Sequence, residues 1–143
     1  MLTGRRGVAC MYLCFFCLLA LTHQAPIKTG WDILKRVQRF ITKVPSELSI
    51  CSLYTPDIYD YQKCPKTTME CFAKEVKVLI EEWKTVGAPG VPKLDEKLED
   101  LASELDQTNS DCSQCELLNE KNATEFLKIL EETLQMMNGE MAN

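Results

Sequence analysis

Four stretches of the chain carry apolar residues at helical spacing, and between them the period breaks. Ile33, Leu34, Val37, Phe40, Ile41 and Val44 fall at offsets 0, 1, 4, 7, 8 and 11, one stripe of an amphipathic helix. Lys35, Arg36, Arg39 and Lys43 occupy its other face, and Pro45 closes the pattern. From Pro45 to Pro65 the chain holds prolines and tyrosines without a helical period and reads as a long connection. A second helix opens at Thr67-Thr68-Met69-Glu70, where Thr67 and Glu70 have the spacing of a capping box. Met69, Phe72, Val76, Leu79, Ile80 and Trp83 form its stripe, and Gly87-Ala88-Pro89-Gly90-Val91-Pro92 breaks it. Leu94, Leu98, Leu101, Ala102 and Leu105 make a third helix whose outer surface is acidic. The fourth opens at another capping-box spacing, Ser113-Gln114-Cys115-Glu116, and stops at Asn138-Gly139. Ala123, Phe126, Leu127, Leu130, Leu134 and Met137 face inward on it. The spacing predicts helices over about 31–44, 67–84, 93–107 and 114–137, with no strand of any length. The fold class is all-α, most simply a four-helix bundle. The long first connection permits the first two helices to run parallel, as in up-up-down-down bundles.

The first 25 residues stand apart from this pattern. Arg5 and Arg6 precede an apolar run from Val8 to Leu21, and the chain then turns polar. That is the layout of a secretory signal peptide, with cleavage after Ala25 preferred and after Thr22 also compatible. The run of 14 residues is too short to span a bilayer. Residues 26–143 then form a single domain, secreted and without membrane insertion. Removing the leader takes away two arginines, so the net charge moves from -5 to -7. Such a chain is a poor nucleic-acid binder. The single histidine, His23, leaves with the leader, and Ser-His, Cys-His and His-zinc chemistry leave with it. Without glycine-rich phosphate loops or metal motifs, neither an enzyme nor a cofactor is expected.

Three of the eight cysteines belong to the leader; Cys51, Cys64, Cys71, Cys112 and Cys115 remain. An odd number in an oxidising compartment suggests two bridges and one thiol. A Cys64–Cys71 bridge would span roughly 10 Å of helix, beyond the Cα separation a disulfide tolerates. Two clusters, one at the start of each of two helices, invite two bridges between them. Cys112-Ser-Gln-Cys115 has redox spacing but no βαβ context, and zinc would lack a second close pair. For Cys51 a free, a buried and an intermolecular state all stay open.

Several motifs together resemble one family. Cys64-Pro-Lys-Thr-Thr-Met-Glu-Cys71-Phe72 is followed by Asp111-Cys112-Ser-Gln-Cys115-Glu116-Leu117-Leu118-Asn119-Glu120-Lys121-Asn122-Ala-Thr-Glu125-Phe126-Leu127. With Leu34-Lys35-Arg36-Val37, Leu53-Tyr54-Thr55 and Gln135-Met136, this is similar to the interleukin-15 family, its interleukin-15-like branch included. The match covers residues 31–138, strong in the second and fourth helices and weak in the third. Cys51 is additional to the family pattern.

The resemblance implies a monomeric short-chain helical cytokine with bridges Cys64–Cys112 and Cys71–Cys115. It implies receptor partners too: a sushi-type alpha chain, a shared beta chain and the common gamma chain, joined to activate Janus kinases in lymphocytes. Carried over by motif, the alpha-chain surface falls on Tyr54, Glu75, Glu82 and Glu116. The beta-chain surface falls on Asp32, Glu96, Glu99 and Asp100, and the gamma-chain contact on Gln135. Glu75 and Glu82 are seven apart, so they are expected on one exposed face, where Glu75→Lys would abolish alpha-chain binding and leave the fold intact. Without the family, a solvated charged face is the plainer reading. Leu118, Ile129 and Met136 form an apolar strip beside Gln135, either core edge or receptor contact. Asn122-Ala-Thr124 is a glycosylation sequon at the border of the fourth helix's buried stripe. The competing reading is a cysteine-stapled lipid- or membrane-binding protein of the saposin kind, against which five cysteines and the acidic charge argue.

Overall fold

The computed structural model describes residues 29–91 and 93–142, with the side chains of 141 and 142 set aside. The expected signal peptide at 1–25 lies outside them. The first stripe forms α1, residues 29–43. A 3-10 turn at Ser46–Ile50, strand β1 at Ser52–Tyr54 and helix α2 at Ile58–Lys63 follow. Then come α3 at Pro65–Thr85 and α4 at Asp95–Glu104. A 3-10 turn at Cys115–Leu117, strand β2 at Glu120–Asn122 and helix α5 at Ala123–Ala142 complete the order.

Helix directions follow from which ends meet. Gly30, early in α1, lies against Asn138, late in α5, so these two run antiparallel. Phe40 packs edge-on against Trp83, ring centroids 4.7 Å apart, each near the C-terminal end of its helix. Helices α1 and α3 therefore run the same way. At the other end of α3, the Thr67 N–H donates to Gln107 Oε1, just past α4, at 2.9 Å. Near the α3–α4 loop, Trp83 and Leu94 line one cleft, so α4 descends beside α3. The bundle is up-up-down-down, and its stripes meet in one core of buried residues from all four long helices.

The connections depart from the sequence reading. The long first link is structured: Asp57 and Asp60 form a true capping box on α2, each side chain accepting from the other's backbone N–H. Helix α3 begins two residues earlier than expected, at Pro65, whose missing N–H costs nothing in the first turn. Thr67 is consequently inside the helix and caps nothing; it is held by Gln107, which also donates to its hydroxyl at 2.9 Å. Helix α4 is shorter than 93–107 because Leu105 turns extended.

The largest correction concerns the fourth helix, which starts at Ala123 rather than 114. Disulfides Cys64–Cys112 and Cys71–Cys115 draw residues 112–115 onto α3. The chain beyond them then pairs as β2 antiparallel to β1, Tyr54 opposite Glu120. Asn122 is the cap: its Oδ1 accepts from the Glu125 N–H at 2.9 Å. Asn122 is thus exposed at a helix entry, not at the edge of the buried stripe. At the far end the helix runs through Asn138-Gly139 to Ala142. Gly139 does not adopt the left-handed conformation a stop requires, and packing of Met137 and Asn138 against α1 carries the helix on.

Candidate functional site

Three of the four residues assigned to the alpha-chain surface converge where β1 crosses α3. The ribbon sets Tyr54 beside α3, and its backbone N–H donates to Glu75 Oε2 at 2.9 Å. The Cys71–Cys115 bridge pins the second 3-10 turn to the same helix, one turn below Glu75. From that turn Glu116 reaches Lys74 and forms an ion pair. Glu120, opposite Tyr54 on β2, adds its negative field to that of Glu116 at Glu75.

Glu75 is not on an exposed face: only 5 % of it is accessible. Seven-residue spacing does keep Glu75 and Glu82 in phase, but β1 covers the first and leaves the second in solvent. Burial pushes the Glu75 carboxyl above its ordinary value, partly offset by the Tyr54 N–H and by Lys74. Glu116 goes the other way, held down by the hydrogen bond from Lys74, whose own value rises through the same contact. Cys51 is unbridged and half-buried beside this cluster. Burial raises its thiol, and the charges of Glu82 and Glu75 raise it further, so it is a poor nucleophile. The face therefore presents Glu82, Glu116 and the edge of Tyr54, with Glu75 beneath them as a support.

The residues assigned to the beta chain divide over two flanks of α4. Asp32 is exposed on α1 and already paired, with Arg36 Nε at 3.1 Å and Lys97 Nζ of α4 at 3.6 Å. The Arg36 hydrogen bond, helped by Lys97, holds its carboxyl below the usual range. Glu96 and Asp100, one turn apart, are exposed on the outer face of α4. Glu99 turns toward α3, where it lines a wide groove with Lys66, Lys74 and Lys77. Gln135 is exposed on α5. Ile129 and Met136 are half-buried against the core. Leu118 does not join them; it precedes β2, beside the Cys64–Cys112 bridge.

Sequence reasoning missed Glu75's internal role, Gln107's bridge to Thr67 and Asn122's cap. The cap had a signal: Asn122-Ala-Thr-Glu125 has the capping spacing as clearly as Ser113-Gln-Cys-Glu116 upstream, and the bridges decide between them. Among the described residues no cluster of His, Cys, Asp and Glu is arranged to hold a metal ion, and no helix is long and apolar enough to cross a membrane.

The model of the family Interleukin 15 matches residues 10–138. Interleukin-15 of Marmota himalayana is 31% identical over 145 residues, covering 86% of this chain and 88% of its own. Interleukin-15 of Marmota monax is 30% identical over the same shares. That of Oryctolagus cuniculus is 30% identical over 111 residues, 72% of this chain and 62% of its own. With its bundle, its two bridges and these relatives, the chain belongs to the interleukin-15 family of cytokines.

Proposed function

We propose that the chain is a secreted, non-enzymatic cytokine that brings receptor chains together at the cell surface and thereby activates Janus kinases in lymphocytes. The sushi-type alpha chain docks on the face of Tyr54, Glu82 and Glu116, with Glu75 holding β1 in place below. The shared beta chain takes the α1–α4 side, through Asp32, Glu96 and Asp100, with Glu99 on the α3 flank of the same helix, and the common gamma chain takes Gln135. The observation that carries this reading is the convergence of Tyr54, Glu75 and Glu116 on one bridged, ribbon-braced face. A partner's Arg or Lys would find Glu82 and Glu116 in solvent, favouring fast and selective encounter over raw affinity. Asn122 is an exposed acceptor for N-glycosylation, and a glycan on its Nδ2 leaves Oδ1 free to keep the helix cap.

The test is binding of the doubly bridged protein to the three receptor ectodomains of its own species, with kinase phosphorylation read in cells bearing them. Tight alpha-chain binding and phosphorylation that requires beta and gamma chains are expected. Correctly bridged protein that binds none of the three would overturn the reading.

A further inference from the structure

In a chain of net charge -5, one end of the bundle is basic. Where α1 and α3 finish and α4 begins, a cleft of about 150 Å³ opens. Arg36, Arg39 and Lys43 of α1 line one side, Lys93 lines the other, and Phe40 and Trp83 form the floor. The three α1 residues stand at i, i+3 and i+7, a ridge about 10 Å long. Among the described residues, Asp32 at the rim is the only carboxylate paired with any of the four, through Arg36 at 3.1 Å. Arg39, Lys43 and Lys93 have no such partner among the described residues.

Ordinary structural roles do not account for this grouping. A cation in the last turn of α1 complements the helix dipole, which covers Lys43. Lys93 stands before the N-terminus of α4, where the dipole is itself positive and disfavours a cation. The cleft is also held in shape: Trp83 Nε1 donates to the Pro89 carbonyl at 3.3 Å, and Gly90 turns the loop at φ 76°. Four like charges are thus kept together beside a braced loop in a protein of net negative charge, whereas the lysines of the α3 groove are interspersed with Glu70 and Glu99.

We propose that this cleft binds a sulfated polysaccharide of the cell surface or matrix. The ridge suits a linear polyanion, with Arg39 and Arg36 forks for sulfate oxygens and Lys43 and Lys93 as point charges on either side. The small volume and the apolar floor of Phe40 and Trp83 suit a thin sugar chain better than a folded partner. Two disulfides place the protein where such chains are found. The inference does not rest on the receptor reading: none of the residues assigned to a receptor chain lines the cleft, and Asp32 borders it only through its pair with Arg36.

The probe is heparin, measured against the doubly bridged protein over a range of salt concentrations. Binding at physiological salt is expected. Arg39→Ala with Lys43→Ala should weaken it at least about tenfold and reduce the log–log salt slope by about two, one per cation removed. Lys121→Ala with Lys128→Ala, an equal charge change at exposed positions elsewhere, should leave it within about twofold. Arg39→Lys with Lys43→Arg, which keeps both charges, should retain most of it. All these side chains are exposed, and the urea denaturation midpoint measured on the same variants reports an intact fold independently. No retention of the wild type at physiological salt overturns the proposal, as does equal loss in both alanine pairs. A poly-glutamate peptide that binds as tightly as heparin would also overturn it, replacing the glycan with an acidic protein segment.

Discussion

Where β1 crosses α3, carboxylates are gathered by a strand ribbon and a disulfide, and one of them, Glu75, is 5 % accessible and hydrogen-bonded to the backbone it supports. On the α1–α4 side, Asp32, Glu96 and Asp100 are exposed residues of two helices, joined by side-chain pairs in solvent. The first surface is positioned by the fold and its shape depends on its charges. The second is a charged face laid over a core that would be the same without it. Acidic residues with equal standing in the sequence therefore have unequal consequences. A partner at the first surface meets a preorganised shape; one at the second meets mobile, screened charge.

The widest gap between the two surfaces should appear on removing the covalent brace. Cys71→Ser with Cys115→Ser opens a loop of 44 residues, about 4 kcal/mol on the chain-entropy model. Urea denaturation should show that loss, and alpha-chain binding should fall with it. A cost under about 1 kcal/mol would mean that the ribbon and α3 hold the face unaided.

Charge reversal separates the two glutamates the spacing had paired. Glu75→Lys leaves the Tyr54 N–H unpartnered and forces a cation under β1, costing about 3 kcal/mol. Glu82→Lys should stay within about 0.5 kcal/mol of wild type. Equal denaturation midpoints for the two variants would erase the distinction between support and contact. The expectation that Glu75→Lys spares the fold is thereby reversed, because the residue is buried.

Helix α1 is not uniformly permissive. A Cβ on Gly30 would fall far inside contact distance of Asn138 Oδ1, so Gly30→Ala should cost about 1–3 kcal/mol. Neither polar atom of the Asn138 side chain has a hydrogen-bond partner among the described residues. Adding Asn138→Ala to Gly30→Ala should therefore recover part of the loss; strictly additive effects would show that the clash relaxes elsewhere.

A pH profile carries a smaller signature of the same contrast. Glu75 holds its proton more tightly folded than unfolded, since its folded value is raised above 4.5. Its contribution to stability is present below that pH and is lost as pH rises through the folded value. Glu75→Gln, which can still accept from Tyr54, should flatten the profile in that window, and an unchanged slope would assign the titration to another group. At Asp32 the sign is opposite: its lowered value adds stability above the usual aspartate range, lost on acidification. Exposure and screening keep that small, so Asp32→Asn should change the thermal midpoint at neutral pH by no more than about 0.5 kcal/mol equivalent.

The helical stripes were legible because burial repeats the 3.6-residue period, and every stripe residue named from Ile33 to Phe40 and from Met69 to Trp83 is buried. What the period does not carry is long-range pairing. Tyr54 and Glu120 meet because two three-residue strands, each too short to show alternation, lie across the bundle. Glu75 reads as a surface carboxylate until β1 covers it. Ser113 to Leu118 reads as a first helical turn until two bridges flatten it against α3. Of the four residues expected on one acidic surface, Tyr54, Glu75 and Glu116 do lie together, while which of them faces solvent required the connections.

The most direct test of the central claim is the affinity of the sushi-type alpha-chain ectodomain for Glu82→Lys with Glu116→Lys, both bridges intact. The account predicts a loss of at least about tenfold, carried by slower association and strongest at low salt, with the denaturation midpoint unmoved. Wild-type affinity in that folded double variant would contradict it, and the acidic face would then be a solvated surface with no part in recognition.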